Sequence, residues 1–80
     1  MFQMTVEDAL KVHDNLVSVS GPCINKKDFL SGRLLDEQGH TYEAHIPFDK
    51  TLVFDDSRVI IGIYGNIEAK SLLGKTLISS

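Results

Sequence analysis

The segment Val59-Ile60-Ile61-Gly62-Ile63-Tyr64-Gly65-Asn66-Ile67, continued by Leu72-Leu73-Gly74-Lys75-Thr76-Leu77-Ile78, constrains the fold more than any other part of this chain. Residues 59–64 are apolar on both faces, the mark of a strand with one side filling a core and the other covered by a neighbour or a partner. Gly65-Asn66 suits a turn with left-handed backbone angles. Residues 69–73 are long enough for one helical turn, which Gly74 stops, and Thr76 to Ile78 make a last short strand. A strand, a tight turn, a single helical turn and a returning strand is the way a small β-barrel closes.

The upstream residues follow the same period. Apolar positions alternate over short windows and do not recur at helical spacing, so the chain is expected to be all-β. Phe2, Met4 and Val6 alternate, and Leu10 and Val12 resume after Glu7-Asp8-Ala9. Residues 2–12 therefore read as a strand bent or bulged near Asp8, and the competing reading is a short helix over 5–12 capped by Thr5. After a turn at His13-Asp14-Asn15, Leu16 to Ser20 form a strand with Val17 and Val19 on one face, which Gly21-Pro22 is expected to end. Phe29 to Leu35 follow as a strand interrupted by Gly32. Asp36-Glu37-Gln38-Gly39 is a hairpin turn that brings Leu35 beside Thr41. His40 to Ile46 then place Tyr42, Ala44 and Ile46 on a buried face, and Thr41, Glu43 and His45 on a wet one. Residues 48–58 read as a crossing connection with an apolar plug at Leu52-Val53-Phe54. The expected architecture is one domain over 1–80: a small antiparallel barrel, closed or partly open, of six to seven strands with one helical turn near its C-terminal end.

Composition narrows the function classes. Eighty residues form one domain at most, and such a chain buries only about 60% of its unfolded surface. A formal net charge of -3 gives no long-range attraction for nucleic acid or anionic lipid. The single cysteine, Cys23, excludes an intramolecular disulfide, and the first residues show neither the basic start nor the apolar run of a signal peptide. A cytoplasmic setting without membrane contact is expected.

Taken in order, these strands resemble the β-barrel second domain of the translation GTPases, elongation factor Tu and its relatives. The likeness is carried by Phe2-Gln3-Met4-Thr5-Val6-Glu7-Asp8, by Val19-Ser20-Gly21, by Leu30-Ser31-Gly32 and by the tail from Ile60 to Leu77. It implies a barrel scaffold, and it is the main support for an RNA-associated role as the alternative function. The phosphate loop and guanine-reading motifs of those GTPases have no counterpart in these residues, so neither a bound nucleotide nor GTP hydrolysis is expected. The glutamate that helps hold aminoacylated transfer RNA in elongation factor Tu falls on Ile46 here, and the family's arginine-glycine pair near the tail falls on Gly65-Asn66.

Candidate chemistry is sparse. His13, Cys23, His40 and His45 lack the paired short spacing of zinc ligands, so no metal and no cofactor are expected. The acidic groups Asp36-Glu37, Asp49 and Asp55-Asp56 suit turns better than acid–base work. The expected function is a non-enzymatic binding or protein-interaction module, with a protein partner or a second copy engaging an unpaired strand edge or the apolar residues Phe48, Leu52 and Phe54. The alternative is an RNA- or ribosome-associated accessory of translation that uses Lys26, Lys27, Arg33 and His45, with Lys11 as a further phosphate contact.

Overall fold

The computed structural model describes residues 1–46 and 57–79 of the chain. The segment proposed as a crossing connection, with Phe48, Leu52 and Phe54, lies outside the described residues. The described residues form seven strands: β1 (Gln3–Thr5), β2 (Asp8–His13), β3 (Leu16–Ile24), β4 (Ser31–Leu35), β5 (Thr41–His45), β6 (Arg58–Tyr64) and β7 (Thr76–Ser79). The helical elements among the described residues are single 3-10 turns, including Lys26–Asp28 and Ala69–Leu72. No described helix is long and apolar enough to cross a membrane.

All the pairings are antiparallel, and the sheet order is β1-β7-β4-β5-β6-β3-β2. Closure comes from β1, which pairs with β7 on one side and with the C-terminal half of β3 on the other. Six strands thus form a closed barrel. The seventh, β2, extends the sheet from the N-terminal half of β3.

Residues 2–12 hold β1 and most of β2 and no helix, so the helix reading is discarded, and the irregularity lies at Val6-Glu7 between the two strands. Met4 pairs with Cys23 and Asp8 with Ser20, so Thr5, Val6 and Glu7 lie opposite only Gly21 and Pro22. The surplus residue is a β-bulge, which bends the strand and raises its twist. The expectation that Gly21-Pro22 ends the second strand is corrected, since β3 runs through both to Ile24. A proline is tolerated in a strand beside a bulge, where the ladder does not call on its missing N–H. Gly21 is required by contact: a Cβ there would fall 1.8 Å from the Thr5 carbonyl oxygen. The strand expected from Phe29 begins instead at Ser31, because the Phe29 amide bonds back to Lys26 at 3.4 Å and its ring stacks on Phe2 at 5.2 Å.

The core follows from strand alternation. Met4, Val17, Val19, Leu34, Ala44, Val59, Ile61, Ile63 and Leu77 point inward from successive strands, and Phe2 and Leu72 are also fully buried. Burying each such aliphatic or aromatic side chain contributes about 1.5–3 kcal/mol, and these terms must offset the ordering entropy of so short a chain. Leu72 belongs to the 3-10 turn before Gly74, and the Gly74 amide bonds to the Val6 carbonyl at 2.9 Å. The tail therefore folds back on the bulge, as the opening motif requires.

Candidate functional site

Once the inward set of β6 is fixed as Val59, Ile61 and Ile63, the outward set is Ile60, Gly62 and Tyr64. Cross-strand register then builds the outer face row by row. One row runs Leu10 on β2, Ser18 on β3, Gly62 on β6 and His45 on β5, and the next runs Leu16, Tyr64, Glu43 and Arg33. Gly62 is a notch in this face. A Cβ there would sit 2.8 Å from Cε1 of His45 and 3.3 Å from Cδ1 of Leu16, so the missing side chain lets the imidazole lie over β6. The ring stacks on Tyr64 with centroids 4.9 Å apart and planes 19° off parallel. The expected wet face of β5 is thus corrected at His45: the ring is half-buried, and its Nδ1 is enclosed without a hydrogen-bond partner. Tyr64 remains 52% exposed.

The same row explains β2. Ser18 and Gly62 are too small to cover a neighbour, so Leu10 stands 69% exposed at the edge of the sheet. Val12 is 53% exposed and lies at an irregularity, since the β2–β3 register shifts between Lys11 and His13. No backbone hydrogen bond among the described residues joins Asp8–His13 to any element but β3. Ala9 and Ala69 both pack against the core, which places the Ala69–Leu72 turn on the inner side of β2. Lys11 points to that side and its Nζ donates to Asn66 Oδ1 at 2.7 Å. Among the described residues nothing pairs with the other edge of β2, and its outward residues Asp8, Leu10 and Val12 are exposed.

A separate polar cluster sits at the β4–β5 hairpin. Asp36 is almost fully buried, and Oδ1 accepts the amides of Gln38 and His40, each at 2.9 Å, while Oδ2 accepts the Tyr42 hydroxyl at 2.8 Å. His40 Nδ1 lies 3.0 Å from Oδ2, and because a carboxylate only accepts, the proton is on Nδ1. Lys75 Nζ approaches the same oxygen at 3.4 Å from the segment leading into β7. Burial by itself would raise the Asp36 carboxyl, but the donors from Tyr42, His40 and Gln38 outweigh it and hold the group well below the usual carboxylate range. Burial and the adjacent carboxylate push the Tyr42 hydroxyl up to about 12. Asp36 Oδ1 holds the turn, in keeping with its reading as a turn opener, and Oδ2 ties the turn to β5 and to the segment leading into β7.

The sequence-predicted site residues do not converge. Lys26 and Lys27 occupy the turn after β3, where Lys26 Nζ donates to the Arg58 carbonyl at 2.8 Å. Asn25, Lys26, Lys27 and Asp28 line a hollow of about 310 Å³. Arg33 is on the outer face of β4, 3.8 Å from Glu43. His45 alone joins the notch. Among the described residues, no three of histidine, cysteine, aspartate and glutamate come together. Leu10, Leu16, Gly62 and Tyr64 were absent from the sequence-derived site, although counting outward positions from Ile61 along β6 would have found Gly62 and Tyr64.

Compared with family models, with curated proteins and with solved structures, this chain matches none.

Proposed function

We propose that this domain is a non-enzymatic protein-interaction module, acting in the cytoplasm on a barrel of the translation-factor kind, and that it docks through the free edge and outer face of β2. The observation that carries this reading is the exposed Leu10 on an unpaired strand edge, continuous through Ser18 and Gly62 with the His45–Tyr64 stack. Such an edge offers unpaired N–H and C=O groups, which another strand can match while an apolar side chain adds to the fit. The cluster richest in titratable groups, around Asp36, is committed to the hairpin, which supports a binding role over a catalytic one. The basic residues Lys26 and Arg33 already face a carbonyl and a carboxylate, which favours a protein partner over RNA.

The test is affinity capture from native cells with tagged wild type, Leu10→Asp and Lys26→Glu/Lys27→Glu, identifying both protein and RNA. The reading expects a protein partner that survives nuclease treatment and is lost with Leu10→Asp. Recovery of RNA alone, lost with the lysine pair and insensitive to Leu10→Asp, would overturn it in favour of a translation accessory.

A further inference from the structure

We propose that two copies of this chain pair antiparallel through their β2 edges, with Leu10 facing Leu10 of the second copy across the two-fold axis. This inference rests on the docking role of β2 and names the occupant of the edge.

Charge and register select the arrangement. The outward side chains of the two strands stay on one face only in registers centred on a residue. Centring on Lys11 sets two ammonium groups directly opposite each other, which is destabilising. Centring on Ala9 sets Asp8 against an exposed leucine and faces Lys11 with Glu7, whose carboxylate already holds Arg58 at 2.7 Å. Centring on Leu10 joins leucine to leucine instead of leucine to carboxylate, sets Ala9 opposite Lys11 and Asp8 opposite Val12, and places no charge opposite a like charge. It also gives Leu10 the large apolar neighbour that Ser18 and Gly62 fail to provide within its own barrel. A two-fold pairing of this kind is self-complementary and leaves neither β2 edge open, so the assembly closes at two chains. The irregularity at Val12 limits the shared ladder to a few residues, and among the described residues β2 is the strand left outside the closed barrel, so pairing uses that edge up.

The experiment combines sedimentation over a dilution series with cysteine cross-linking in a Cys23→Ala background. Wild type is expected to shift between 8.9 kDa and twice that mass, and Leu10→Asp to weaken the association by on the order of 100-fold. Cβ atoms directly opposite each other in an antiparallel pair lie about 4.5–5.5 Å apart. Leu10→Cys should therefore form an intermolecular disulfide on mild oxidation, whereas Asp8→Cys, which faces a different residue, should not. A wild type that stays monomeric throughout, or equal cross-linking at positions 8 and 10, overturns the self-pairing. In a monomeric chain, partner capture that still depends on Leu10 preserves the docking role of β2, and capture indifferent to Leu10 removes both.

Discussion

Gly62 and His45 stand opposite each other on the outer faces of β6 and β5, and the imidazole occupies the space that a Gly62 side chain would need. Gly62→Ala should displace the ring, which is the free end of a side chain, and break its stack on Tyr64. A cost within about 1–3 kcal/mol is expected, and the barrel should survive. Adding His45→Ala should recover most of the loss, as a double-mutant cycle in chemical denaturation would show.

The same substitution at Gly21 has a different outcome. There the new methyl meets the Thr5 backbone, which is fixed by the bulge and by the pairing of β1 with β7. Gly21→Ala is expected to cost more than about 4 kcal/mol and to leave the chain unfolded, since a domain of this size has only about 4–12 kcal/mol in total. Near-native circular dichroism and an unchanged melting temperature would contradict the bulge geometry.

Ile61 is fully buried at the centre of β6. Ile61→Ala should destabilise by about 2–5 kcal/mol, whereas Leu10→Ala on the exposed edge should change monomer stability by less than about 0.5 kcal/mol. Equal losses at both sites would mean that β2 is covered.

The Asp36–Tyr42 pair sets two pH limits. Asp36 has a folded pKa below its unfolded value of about 3.9, so its contribution is complete above that pH and is lost as acid brings the carboxylate through its folded value. Tyr42 has a folded pKa pushed up to about 12, above the ordinary tyrosine value of about 10, so its contribution is complete below that value and is lost as pH rises toward 12. In a Tyr64→Phe background, phenolate absorbance should report the late titration of Tyr42. Asp36→Asn should bring that titration to lower pH and flatten the acid limb of the melting curve.

The architecture was legible because alternation and punctuation are local. Val17 and Val19, Tyr42 and Ala44, and the inward set of residues 59–63 each declare a face within a few positions. The bulge near Asp8 showed as a break in that alternation, but Gly21-Pro22 looked like a strand end because its reason is a backbone 16 residues away in sequence, at Thr5. The hub at Asp36 was legible only as a turn, since Lys75 reaches it through the β4–β7 pairing. Leu10 carried no signal of exposure. Its alternation matches that of a buried strand, and only the small residues beside it on β3 and β6 leave it uncovered.

Residue-resolved amide exchange tests the proposed β2–β2 pairing most directly, with wild type and Leu10→Asp compared at one high concentration. Alternate amides of β2, those turned away from β3, should exchange slowly in wild type and fast in the variant, while β3 and β6 stay protected in both. Fast exchange of those amides in both proteins, or equal protection in both, would contradict the pairing of two copies through β2.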